Sequence, residues 1–180
     1  MKLKFFGTAA AEGFPALFCD CDSCHRARKA GGKNLRRRSQ AVVDDKILID
    51  FGPDTLSCAL YDGLPLAHLH TCLITHSHED HLSTGLTDAL LASCKTAPDE
   101  PPLDFYMTPA SAADERIGFV RTLEERGLIA QNRCRYIPVE PFVPFEVEDG
   151  YRITALPADH DSRCDPVFYS IEKDGKALLY

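Results

Sequence analysis

Within the six residues from 76 to 81 stand three of the chain's seven histidines, His76, His78 and His81, together with Glu79 and Asp80. Neutral imidazole and carboxylate are good donors for Zn2+, and also for Mn2+ or Fe2+. Side chains alternate along an extended chain, so His76 and His78 share a face. The turn that follows can aim Asp80 and His81 at a second position beside the first. A solvated polar turn can also be rich in histidine, but His-x-His-x-Asp-His is far more specific than a lone His-x-His. Metal ligation is therefore the expectation for these four residues. A further ligand should stand at the end of a later strand, and in ITALPADHD an alternating apolar run leads into His160. Asp159 and Asp161 beside it are weaker candidates. His68 and His70 make another His-x-His, but they precede the strand that leads into His76 and should lie at its far end.

The stretch FCDCDSCHRARKAGGKNLRRRS, residues 18–39, holds a second cluster. Cys19, Cys21 and Cys24 are spaced to converge on one tetrahedral ion, a structural Zn2+ being the best match. Free thiols or a surface disulfide are the competing outcomes. A fourth ligand is required, and His25 is too close in sequence to reach the same ion easily. Seven cations from Arg26 to Arg38 follow with no acid among them. They read either as a solvated loop or as a phosphate-attracting patch in which Arg36, Arg37 and Arg38 bind substrate. Cys58, Cys72, Cys94 and Cys134 fall in apolar patterns and read as buried thiols. Cys164 has no assignment.

The elements that must position these residues follow from periodicity and turn signals. KLKFFG alternates as a first strand, and QAVVDDKILID reads as a hairpin turning at Asp44-Asp45. GPDTLSCALYDG is a short helix bracketed by Pro53 and Gly63. TCLIT is a buried strand, LSTGLTDALLASC a helix, TAPDEPP a loop and LDFYMT a strand. PASAADERIGFVRTLEERG reads as one long helix between Pro109 and Gly127. From Cys134 the chain turns to β structure: CRYIPV, PFEVE, YRITALPA, PVFYSIEK and KALLY, with a hairpin at Asp174-Gly175. Such an order suggests sheets covered by helices. The last strand has no closing turn, so its partner strands are expected from sequence beyond Tyr180 or from a second copy in a homodimer.

Composition bounds the function. The chain has 180 residues, 44% hydrophobic and 26% charged, which suits one domain with a sizeable core. A net charge of −7 gives no bulk attraction to a nucleic-acid polymer or an anionic membrane. No apolar run approaches a membrane span, and the N-terminus lacks the apolar centre of a signal peptide. With no secretory signal, the clustered cysteines favour metal over disulfides and the cytoplasm over the exterior.

THSHEDH resembles the His-x-His-x-Asp-His signature of the metallo-β-lactamase superfamily, and ILIDFGPDT looks like the strand and turn that precede it there. The resemblance implies a four-layer αββα sandwich spanning 1–180 with a two-metal site at one edge, and Asp50 as the acceptor behind a metal-bound imidazole. It also implies a bridging Asp and a final His, neither of which follows His160 in a suitable place. The sandwich is thus expected to be incomplete, with those ligands beyond residue 180. GTAAAEGFPALFCDCDSC followed by GGKNLRRRS resembles the phosphoribosyl cyclic phosphodiesterases, whose cysteine-rich insertion holds a structural zinc. A related insertion occurs in the pyrroloquinoline quinone biosynthesis protein B group. The implied activity is hydrolysis of a small phosphodiester, cyclic phosphates included, by a water activated between two metals. The alternatives are another hydrolase chemistry on the same fold and an inactive metal-binding fragment or subunit.

Overall fold

The computed structural model describes residues 1–92 and 101–180. Six strands form the first sheet in the order β1 (Leu3–Gly7), β2 (Gln40–Val43), β3 (Ile47–Ile49), β4 (Thr71–Leu73), β5 (Leu103–Met107) and β6 (Cys134–Pro138). β1 to β3 run antiparallel, and β3 to β6 run parallel. β2, β3 and β4 are buried at every position, as central strands covered on both faces must be. Four antiparallel strands form the second sheet in the order β10 (Lys176–Leu179), β9 (Val167–Lys173), β8 (Tyr151–Pro157) and β7 (Phe145–Val147).

The alternation of side chains sorts the apolar residues into two cores. Val42, Leu48 and Cys72 face one way, against Cys58 of α2 (Thr55–Tyr61) and Phe119 and Leu123 of α5 (Phe119–Glu125). Val43, Ile47, Ile49 and Leu73 face the other way, against Tyr151, Ile153, Tyr169 and Ile171 of the second sheet. The described residues thus build three layers of the expected sandwich: helices, sheet, sheet. Cys58, Cys72 and Cys134 are buried, as their apolar settings suggested.

The turns follow their local chemistry. Asp44 and Asp45 take left-handed backbone at the β2–β3 hairpin. Asp174 and Gly175 form the two-residue β9–β10 turn, between the paired Lys173 and Lys176. Two helical readings need correction. LSTGLTDALLASC begins with a 3-10 turn at Thr84–Leu86 before α3 (Thr87–Ala92), and Cys94 and most of the TAPDEPP loop lie outside the described residues. The long helix over 109–127 is two helices, α4 (Pro109–Ala112) and α5. The Thr108 hydroxyl accepts the Ser111 amide at 3.2 Å to start the first. The Asp114 carbonyl then takes the amides of Ile117 and Gly118 at 3.1 and 2.8 Å, and Gly118 enters the left-handed region at φ 60°. This break frees Asp114 and Arg116 from a helix surface.

Candidate metal centre

Three chain segments meet at the C-terminal end of the parallel strands: the turn after β3, the loop after β4 and the loop after β8. Phe51 N donates to His81 O at 2.7 Å, and Ser83 N donates to Phe51 O at 2.9 Å. These bonds stitch the histidine loop to the turn after β3. The seam is tight at Gly52, where an added β-carbon would lie 2.2 Å from the Asp80 carbonyl oxygen.

Asp50 is the hub. It is fully buried, with left-handed backbone at φ 66°. Its Oδ1 accepts from the Thr75 amide and hydroxyl, both at 2.9 Å, and its Oδ2 accepts from His81 Nδ1 at 2.6 Å. Because the Thr75 hydroxyl donates to Asp50, its oxygen is left to accept from His76 Nδ1 at 3.0 Å. His76 Nε2 is then a bare lone pair, buried and without a hydrogen-bond partner. Burial, with the neighbouring imidazoles, pushes the His76 pKa down to about 3, so the ring is neutral. Burial also opposes charge on His81, but the hydrogen bonds to Asp50 and Asp80 outweigh it and hold that pKa at about 10. His81 Nε2 stands 3.3 Å from Asp80 Oδ2.

The structure brings His76, His78 and His160 together: one ring nitrogen from each lies within 4.8 Å of the others. His78 Nδ1 and His160 Nε2 are 3.2 Å apart. Ligand nitrogens about 2.0–2.1 Å from a tetrahedral Zn2+ would be separated by roughly 3.4 Å, so little motion is needed. An orphaned buried nitrogen on a neutral ring, facing two more imidazoles, fits a divalent cation. His68 and His70 lie at the other end of β4, and His70 Nδ1 meets Pro101 O at 3.0 Å.

Four charged residues at this centre escaped the sequence reading or were underweighted by it. Asp161 Oδ2 lies 3.0 Å from His78 Nε2 and also pairs with Arg116 and Arg163. These hydrogen bonds, Arg163's foremost, hold the Asp161 carboxyl far below the usual carboxylate range. Asp114 pairs with Arg116 and accepts from the Ser77 hydroxyl at 2.6 Å. Asp161 was weighed as a weak ligand, and nothing in ASAADERIG distinguishes Asp114 or Arg116 from exposed helix residues.

At the insertion, the sulfurs of Cys19, Cys21 and Cys24 lie within 4.8 Å of one another. The Cys24 amide and the neighbouring thiols lower the Cys21 pKa to about 7, which makes a thiolate accessible near neutrality. Burial pushes the Cys24 thiol up, and the three converging sulfurs fit a zinc ion. His25 pairs with Asp20 at 2.8 Å instead. The basic run is less free than its sequence suggests. Arg28 donates to Ala16 O and Cys19 O at 2.8 and 2.9 Å, which fastens the cysteine loop. Arg37 pairs with Asp62, and Arg38 with Asp54 at 3.0 Å. Arg36 has no carboxylate partner among the described residues. It shares with Arg37 and Arg38 a groove of about 760 Å³ walled by Phe14, Leu17 and Leu35.

Two sheets pack face to face, with a histidine cluster at the strand ends. Residues 45–180 match the model of the beta-lactamase superfamily domain, and the chain belongs to that superfamily, in its metallo-β-lactamase branch. It superposes on Zn2+-bound PqqB from Methylobacterium extorquens with a TM-score of 0.68 at 20% identity, covering 99% of this chain and 64% of that one. For a diphosphatase of the PhnP family the TM-score is 0.69 at 22% identity, covering 94% of this chain and 61% of that one. For human tRNase Z, short form, the values are 0.65 and 19%, with 99% and 68% covered. At these identities the likeness is one of fold, and the chain spans less than two thirds of the first two structures. No curated protein sequence matches it. Among the described residues no helix is long and apolar enough to cross a membrane.

Proposed function

We propose that this chain carries the metal-binding core of a hydrolase that cleaves small phosphodiesters, cyclic phosphates included. The observation that carries the reading is the buried, unpartnered Nε2 of neutral His76 facing His78 and His160. A divalent ion held by these three rings would supply Lewis acidity and lower the pKa of a water molecule. Thr75 and Asp50 hold the outer nitrogens of His76 and His81, so that the inner nitrogens point to one side. Asp80 and His81 flank a second position, but His81 would have to shed a proton to offer a lone pair there, and two donors are too few to hold an ion tightly on their own. Asp50 thus acts behind His81 and not as a ligand. Arg36, with Lys33 lining the same groove, is placed to meet a phosphate, while Arg37 and Arg38 are held by Asp62 and Asp54. The choice of phosphodiesters draws on that groove and on the diphosphatase and tRNase among the similar structures. A zinc ion on Cys19, Cys21 and Cys24 would fasten the insertion, and thiols kept for metal suit a reducing, cytoplasmic setting.

Zinc content per chain and hydrolysis of bis-p-nitrophenyl phosphate test this reading together. The expected result is two tightly bound ions, one of them lost in His76→Ala. Hydrolysis should be slow and should vanish in the same variant. Zinc retained only by the cysteines, with His76→Ala unchanged from wild type, would refute it.

A further inference from the structure

Asp161 is surrounded by donors alone. Its Oδ2 faces His78 Nε2 at 3.0 Å, Arg163 Nη2 at 2.8 Å and Arg116 Nη1 at 3.2 Å. Its Oδ1 takes Arg163 N at 3.0 Å and Arg163 Nε at 2.8 Å. A carboxylate offers about four lone-pair sites, so this one is saturated and remains an acceptor. Its loop is also pinned from below. The Cys164 thiol donates to Asp161 O at 3.3 Å, and Cys164 O accepts the hydroxyls of Thr108 and Ser111 at 3.0 and 2.7 Å. Donor atoms of His78, Asp161 and Cys164 lie within 4.8 Å of one another, which is close enough to suggest another cation site. Two guanidinium charges already on the carboxylate argue against that use and for an anchor.

Arg116 ties this anchor to the histidine loop a second time. Its Nε and Nη2 grip Asp114 at 2.8 and 2.5 Å, and Asp114 accepts the hydroxyl of Ser77, the residue between His76 and His78. One guanidinium therefore braces both the Ser77–Asp114 and the His78–Asp161 contacts.

We infer that Asp161, braced by Arg116 and Arg163, is a positioning residue that fixes His78 as its Nε2–H tautomer and turns Nδ1 toward His160. The tautomer belongs to the metal-free chain; only its consequence for ion binding rests on the proposed metal centre. The carboxylate behind His78 is then the counterpart of Thr75 behind His76, but it selects the opposite nitrogen.

Two-bond 1H–15N spectra of the histidine rings in the metal-free chain at neutral pH read the tautomers directly. The expected result is Nε2–H for His78 and Nδ1–H for His76. Asp161→Ala should leave His76 unchanged and give a mixture of tautomers at His78. It should also weaken zinc binding at the histidine centre about 10–100-fold, with the cysteine site unaffected. Arg116→Gln should shift both readouts in the same direction by a smaller amount. Wild-type His78 found as Nδ1–H overturns the inference, whether or not the variants fold. So does an Asp161→Ala chain with wild-type tautomers and zinc affinity within about twofold. If His78 is Nε2–H but zinc never binds this centre, the tautomer assignment stands and the metal reading falls.

Discussion

Alanine at position 52 adds one methyl group where two backbone segments touch. Its β-carbon would lie 2.2 Å from the Asp80 carbonyl oxygen and 3.0 Å from the Asp80 carbonyl carbon. Ordinary contacts need about 3.5 Å, so the 80–81 backbone must recede by about 1 Å, and no side-chain rotation can relieve it. The two hydrogen bonds at that seam, Phe51 N to His81 O and Ser83 N to Phe51 O, are then stretched. Overpacking costs about 1–3 kcal/mol and each weakened bond up to about 1 kcal/mol, so about 3 kcal/mol is expected in all. In a chain of this size that lowers Tm by roughly 6–12 °C. Because the displaced segment carries Asp80 and His81, zinc affinity at the histidine centre should fall as well. Gly85→Ala is the control: its β-carbon meets only Ser83 Oγ, at 3.5 Å, and stability should hold or rise slightly. Thermal melts and zinc titration of both variants provide the comparison. A Gly52→Ala chain that melts within about 2 °C of wild type with unchanged zinc affinity would refute the reasoning.

Further outcomes follow from other contacts. The Tyr151 hydroxyl donates to Asp44 at 2.6 Å and, as the largest cause, holds the Asp44 pKa below its ordinary value of 3.8. A depressed carboxylate stabilises the fold above its unfolded pKa and loses that contribution as pH falls through the folded one. Tyr151→Phe should therefore cost about 2 kcal/mol at pH near 7, and urea melts should show the gap to wild type narrowing below about pH 4. Arg36→Ser should leave Tm unchanged and raise KM for a phosphodiester. Arg38→Ser should lower stability by up to about 1 kcal/mol because Asp54 loses the guanidinium and keeps only the residue-38 amide; equal melts for the two variants would contradict the pairing. Cys24→Ser should remove one zinc per chain, read by metal analysis, without touching the histidine centre.

What could be read in advance was local. The Asp174-Gly175 turn, the buried alternation of ITALP and the histidines at strand ends each announce themselves within a few residues. His160 could be expected near His76 and His78 because a strand end is a place the topology brings to that cluster. The contacts that hold the centre in shape are not local. Ser77 meets Asp114 across 37 positions, and His78 meets Asp161 across 83, so no periodicity marks them. The helix break at 113–118 was partly hidden for the same reason: Gly118 and the Asp114 carboxylate that accepts the Arg116 amide favour a turn locally, but the pull of Ser77 and Asp161 on Asp114 and Arg116 comes from far along the chain. The basic run misled in the opposite sense. It has no acid within it, yet Asp54 and Asp62 reach Arg38 and Arg37 from 16 and 25 positions away.

Asp50 combines a left-handed backbone with three accepted hydrogen bonds, and this shapes what mutation can do there. Left-handed backbone admits glycine, asparagine and aspartate far more readily than other residues. Both alternatives lie one nucleotide from an aspartate codon. Asparagine keeps the backbone and one acceptor oxygen but removes the charge that His81 leans on; glycine keeps only the backbone. The errors that replication makes most easily at this codon thus include the two the chain trace tolerates best. Asparagine would satisfy the backbone and still leave the buried His81 charge without its carboxylate, so a survey scoring abundance should register a loss as well as one scoring ion binding.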